Sequence, residues 1–165
     1  MNTFIKISKI IFNIITTIII VVGILFVGLF CFGIQPYVVE SGSMEPTIET
    51  GSVCFVNRHA KYEDMKVGDI IAFQLDEGAF ATHRIKEITD EGFTTKGDKN
   101  KADDNIITTR SNFIGKNIFS IPKVGFIVKG IQEPKGKIIL GTIIVVLIMA
   151  AILTGTPHKK KKINS

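Results

Sequence analysis

An uninterrupted apolar run from Ile10 to Ile34, 25 residues without a charged side chain, restricts what the rest of this chain can be. As a helix rising about 1.5 Å per residue it is about 37 Å long, more than a hydrocarbon core of about 30 Å. Lys6 and Lys9 precede it as a positively charged n-region would, but the run outlasts a usual leader's apolar core and no small-x-small cleavage site follows. An uncleaved transmembrane signal anchor over 10–34 is expected, behind a short cytoplasmic N-terminus over 1–9.

A second apolar run, Ile138 to Leu153, lies between Lys135 and Lys137 on one side and Lys159 to Lys162 on the other. Sixteen residues are marginal for a span, although Gly155 and snorkelling lysines extend it, and a membrane-buried or re-entrant segment is the alternative. Read as a second transmembrane helix over 138–154, it puts both termini on one side of the membrane. Lys6, Lys9 and the terminal lysines make that side cytoplasmic, with a basic tail over 155–165 and an extracytoplasmic middle over 35–136. Much of the net charge of +5 sits in those terminal lysines, so the excess reads as a lipid-headgroup anchor and no nucleic-acid partner is expected. Roughly 100 residues remain for one small folded body. The two cysteines, Cys31 in the apolar run and Cys54 in the polar middle, support no disulfide framework.

The middle reads as β-rich. Segments 52–57, 69–74, 81–88, 92–96 and 114–118 are short and rich in β-branched and aromatic residues, and Gly51, Gly68, Gly78, Gly97 and Gly115 punctuate them as turns do. Helical periodicity is weak throughout, with 58–66 the one stretch that admits a helix.

Three segments carry candidate chemistry. Glu40-Ser41-Gly42-Ser43-Met44-Glu45-Pro46-Thr47 follows the first apolar run closely, and a small-residue turn closed by Pro46 can expose a hydroxyl and leave backbone N–H groups free. On composition alone it is equally an ordinary Ser/Gly/Pro loop. A serine needs a base, and the polar middle offers His59, in a charged stretch, and His83, in the alternating run Ala81-Thr82-His83-Arg84-Ile85. A strand position can hold an imidazole rigidly, while a solvent-facing strand histidine is the plain alternative. The third segment, Lys96 to Asp104, gathers Asp98, Asp103 and Asp104, which could orient a histidine or simply form a solvated turn. Its lysines and the missing D-x-D-x-D-G pattern argue against calcium; no metal and no cofactor are expected.

Taken together, these segments resemble the type I signal peptidases, in the branch found in the endoplasmic reticulum, archaea and some Gram-positive bacteria. Ser41-Gly42-Ser43-Met44-Glu45-Pro46-Thr47 is similar to that family's nucleophile box, and Thr82-His83-Arg84-Ile85 to the box in which this branch has histidine where common bacterial enzymes have a lysine base. Thr95-Lys96-Gly97-Asp98 with Asn100 and Asp103-Asp104 is similar to the acidic box, whose second Asp of the pair is the catalytic acid. Lys66 to Phe73 and Ile121-Pro122-Lys123-Val124-Gly125 are weaker matches, and the resemblance runs from about Val38 to Val128. Lys99, where the family often has a second asparagine, and Ser120, where a basic residue is usual, depart from the pattern.

The resemblance implies a mostly β, signal-peptidase-like domain anchored by the N-terminal and the C-terminal transmembrane helices. It implies a membrane-bound serine endopeptidase that cuts signal peptides from exported precursors after small residues at −3 and −1. Ser43 would be the nucleophile, His83 the general base and Asp104 the orienting acid. Asp98 and Asp103 are lesser candidates for that last role or for loop structure. The Ser43 backbone N–H and the Ser41 hydroxyl would hold the oxyanion. Precursor proteins and membrane lipid are the expected partners, with translocase or accessory subunits left open. Two rivals stand beside this reading: a membrane-anchored β domain that binds or scaffolds without cutting, and a related peptidase acting on folded or regulatory proteins. A histidine base also predicts that cleavage slows as the imidazole protonates in mild acid, which a pH–rate profile checks.

Overall fold

The computed structural model describes residues 3–75 and 78–154. Helix α1 covers Thr3–Cys31, and its stretch Lys9–Cys31 is long and apolar enough to cross a membrane, with none of it buried inside the protein. The helix stops short of the Ile34 boundary that the apolar run suggests. Gly33 takes φ 74, a left-handed value open to glycine, and the His59 ring lies where a Cβ would project. Ile34 then enters a strand. Apolar character continues past the turn because a half-buried strand needs it as much as a lipid-facing helix does.

Among the described residues six strands follow: β1 (Ile34–Val38), β2 (Val53–Asn57), β3 (Ile70–Gln74), β4 (Phe80–Ile88), β5 (Phe93–Lys96) and β6 (Phe113–Ile121). They form one sheet in the order β1-β2-β6-β3-β4-β5, every neighbouring pair antiparallel. The segments 52–57, 69–74 and 92–96 contain β2, β3 and β5, while β4 begins one residue before 81–88 and β6 extends past both ends of 114–118. The segment 58–66, which admitted a helix, holds only a 3₁₀ turn, Tyr62–Asp64. Tyr62 is pinned there, its ring stacked on Phe93 at 4.1 Å and its hydroxyl donating to the Thr108 carbonyl at 3.0 Å.

Successive strand residues point to opposite faces of a sheet, and β3 shows both faces covered. Ala72 joins Met44, Ile48, Cys54 and Val56 in one buried cluster, while Ile71 and Phe73 join Met65, Ile85 and Phe93 in another. Burial pushes the Cys54 thiol up to about 11, consistent with an inert packing role. Gly115 lies opposite Ala72 in the register, and a side chain there would run into the Asn57 carbonyl.

Two further helices follow among the described residues. Helix α2 (Val124–Gln132) was not read from the sequence, where 121–125 stood only as a weaker match to a family segment. Gly125 at its start donates its N–H to the Gly51 carbonyl at 2.8 Å, and a Cβ there would meet that oxygen at 2.7 Å. Lys129 pairs with Glu40 at 2.7 Å. Helix α3 (Pro134–Thr154) contains the second apolar run, and the basic tail over 155–165 lies outside the described residues. Internal contacts separate two units, residues 25–130, which hold the whole sheet, and the terminal stretches on either side of them.

Candidate active site

Ser43 sits on the loop between β1 and β2, and its neighbours explain why that loop holds one shape. Met44 and Ile48 are 1% and 2% exposed, plugged into the cluster with Cys54, Val56 and Ala72. Met44 is therefore a core residue, not a lipid or substrate contact. Fully burying two such side chains is worth about 1.5–3 kcal/mol each, enough to hold a glycine- and serine-rich turn against its backbone entropy. The Ile48 N–H also bonds the Met44 carbonyl at 2.9 Å, and the Glu45 N–H bonds Gly42 at 3.1 Å.

His83 lies on β4, paired in register with Ile71 of β3, and the Phe73 ring meets its imidazole edge-on with centroids 6.0 Å apart. Asp104 follows β5 in a loop whose N–H at 104 donates to the Thr95 carbonyl at 2.8 Å. The three side chains form one hydrogen-bonded row. His83 Nε2 lies 2.9 Å from Ser43 Oγ, and His83 Nδ1 lies 2.7 Å from Asp104 Oδ2. The side chains of His83 and Asp104 are 12% and 16% exposed, so the row is largely shielded while remaining reachable. A carboxylate only accepts, which requires Nδ1 to carry the proton and leaves the Nε2 lone pair facing the serine hydroxyl. With the Ser43 proton directed at His83, the Ser41 hydroxyl, 3.2 Å from Ser43 Oγ, is the donor of that pair.

The remaining acidic residues do other things. Asp98 has no hydrogen bond to His83 or Ser43 among the described residues. It accepts from Arg84 Nε at 2.9 Å and Nη2 at 2.7 Å, and from the Thr47 hydroxyl at 2.6 Å. It thereby ties the loop carrying Ser43 to the strand carrying His83. Asp103 is exposed and has no side-chain hydrogen bond among the described residues. Lys99 adds a second tie: its N–H donates to the Ser43 carbonyl at 2.8 Å and its Nζ meets Glu45 at 2.7 Å. Gly97 is required between them, since a Cβ there would lie 2.7 Å from the Ser43 carbonyl oxygen. His59 is exposed beside Gly33. Among the described residues no group of three or more His, Cys, Asp or Glu side chains is placed to hold a metal ion.

The fork of hydrogen bonds from Arg84, helped by Thr47, holds the Asp98 carboxyl below the usual carboxylate range, against a smaller opposing effect of burial. The folded chain therefore binds fewer protons at Asp98 than the unfolded chain does. That contribution is present above the unfolded value of about 3.9 and is lost as pH falls through the lower folded value. Asp98→Asn is expected to destabilise the protein by about 1 kcal/mol at neutral pH, with the gap to wild type closing in strong acid. Thermal melting across pH 2–7 measures it.

The family model for signal peptidase, peptidase S26, matches residues 11–108. The chain belongs to the peptidase S26 family of signal peptidases. Among its family relatives, signal peptidase I W of Bacillus subtilis is 38% identical over 117 residues, covering 64% of this chain and 62% of the relative. The signal peptidase complex catalytic subunits SEC11 of Eremothecium gossypii and Sclerotinia sclerotiorum are 31% and 32% identical over 110 and 102 residues. Those alignments take in 58% and 54% of this chain, and 65% and 59% of the relatives, so the chain spans about three fifths of the length of the proteins it matches. For the family member in hand, sequence reasoning passed over three participants near the site: Thr95, Arg84 and the Lys99 backbone. Thr95 is fully buried and its hydroxyl reaches Asp104 Oδ2 at 2.6 Å. The acidic-box resemblance put Thr95 and Asp104 in one segment but gave Thr95 no role, and strand alternation alone hinted at its inward direction.

Proposed function

We propose that this protein is a membrane-bound serine endopeptidase that removes N-terminal signal peptides from exported precursors, cutting after small residues at −3 and −1. The hydrogen-bonded row from Ser43 through His83 to Asp104 carries this reading. Ser43 Oγ attacks the scissile carbonyl carbon as its proton passes to His83 Nε2, and the ionised Asp104 stabilises the imidazolium that forms. The oxyanion is held by the Ser43 N–H, which makes no hydrogen bond among the described residues, and by the Ser41 hydroxyl. His83 returns the proton to the leaving amine, then takes one from the water that releases the acyl group. Asp98 serves the loop structure by linking Thr47 and Arg84.

Membrane attachment explains how such a site finds its substrate. In this reading α1 and α3 both span, the termini are cytoplasmic and the sheet is extracytoplasmic. A signal peptide's apolar segment is confined to the same bilayer, so its cleavage site meets Ser43 at high effective concentration. The partners are those precursors and lipid. Co-expression with a tagged precursor carrying a small-x-small site tests the function: wild type yields the mature form and Ser43→Ala leaves the precursor intact. Equal processing by both would overturn the proposal and favour a binding or scaffold role.

A further inference from the structure

Asp104 Oδ2 receives two donors at once. His83 Nδ1 approaches at 2.7 Å and the Thr95 hydroxyl at 2.6 Å, while the Asp104 N–H returns to the Thr95 carbonyl at 2.8 Å. Thr95 stands on β5 opposite Ile85 of β4, and neither is exposed at all. Its position is therefore set by the sheet, and a buried hydroxyl of this kind is costly unless it is paired. An O–H to carboxylate distance of 2.6 Å lies in the charge-assisted range.

We infer that Thr95 is a positioning residue of the catalytic row, fixing the Asp104 carboxylate so that its charge faces His83 Nδ1. The inference rests on the peptidase reading above and extends it to a residue that makes no contact with substrate. A carboxylate on a loop can turn about its side-chain torsions, and the loop around Asp104 is largely exposed from Asn100 to Asp103. The rigid strand supplies what the loop lacks. A backbone bond fixes the Asp104 main chain and the hydroxyl fixes its Oδ2, leaving the imidazole one oriented charge to face.

The test uses the full chain in lipid vesicles with a small-x-small precursor. Thr95→Val keeps the shape and removes the donor; it is expected to lower kcat about 10- to 100-fold, the loss that one hydrogen bond to a charged group implies. KM is expected to stay within about twofold, because the lost bond acts on the reacting groups and not on substrate binding. Thr95→Ser restores the donor and is expected to recover kcat to within about threefold of wild type. A Thr95→Val protein that melts like wild type and keeps full kcat would overturn the inference, as would a Thr95→Ser protein as slow as Thr95→Val. Should the valine protein not fold, Thr95→Ala, which also removes the donor, takes its place under the same criteria. Ser43→Ala run alongside separates the two levels: if it still cleaves, the peptidase reading fails, whereas loss in Ser43→Ala with full kcat in Thr95→Val rejects the role of Thr95 alone.

Discussion

Replacing Ser43 by alanine is expected to lower kcat for precursor cleavage roughly 10⁶-fold while leaving the fold intact. The size follows from removing the nucleophile of a unit whose members act together, so that what survives is only what binding and the oxyanion donors do for attack by water. The fold should hold because the loop is fixed by other groups: Met44 and Ile48 in the core, and the Ser43 carbonyl on the Lys99 N–H at 2.8 Å. The hydroxyl itself bonds only His83 and Ser41 among the described residues, both near solvent that can replace it. A purified variant with a wild-type melting temperature and no detectable product after hours is the expected outcome, measured by gel shift of a tagged precursor. Cleavage within about tenfold of wild type would mean that another group attacks.

Replacing Asp104 by asparagine is expected to cost about 10⁴-fold in kcat with little change in KM. The asparagine side chain fits the same space, so the loss is electronic and tautomeric. If its amide nitrogen faces His83, Nδ1 must accept, the ring proton moves to Nε2, and the face toward Ser43 becomes a donor that cannot take the serine proton. If its amide oxygen faces His83, the tautomer survives but no negative charge balances the imidazolium. The Thr95 hydroxyl at 2.6 Å favours the second orientation, since it needs an acceptor at that position. Either arrangement weakens the base, and single-turnover kinetics on saturating precursor separates this loss from a binding defect. A variant retaining more than about a tenth of wild-type kcat would remove Asp104 from the row.

Much of the sheet was legible in the sequence because its strands alternate and are cut by glycines at turns, although Gly115, read as such a turn, stands inside β6 opposite Ala72. Gly51, Gly68 and Gly78 each adopt a positive φ, which is the physical reason they stand where strands end. The strand β1 was hidden because its Ile34 continues the apolar run, and Gly33, the residue that breaks the helix, looked like one more small residue in a greasy stretch. Helix α2 was hidden for a different reason. It is a short element whose start depends on Gly125 fitting against the Gly51 carbonyl, a long-range contact with no local signature.

The site shows the same division. Ser43, His83 and Asp104 could be singled out because each belongs to a recognisable box. Their joining by two hydrogen bonds depends on a sheet order that puts β4 beside β5 and β3, which no local pattern states. Asp98 could not be told from Asp104 by composition, since both follow a glycine-started turn. The hydrogen bonds separate them: Asp98 is taken up by the Arg84 fork and Thr47, whereas Asp104 is the carboxylate bonded to His83.

The most direct test of the account compares single-turnover cleavage by wild type, Ser43→Ala, His83→Ala and the double variant in the same vesicles. Residues of one catalytic unit lose activity once, not twice. The account predicts that all three variants fall to a common residual rate, the double no slower than either single. A double variant slower by the product of the two single losses, or either single variant cleaving near the wild-type rate, would contradict the claim that Ser43 and His83 act as one nucleophile–base pair.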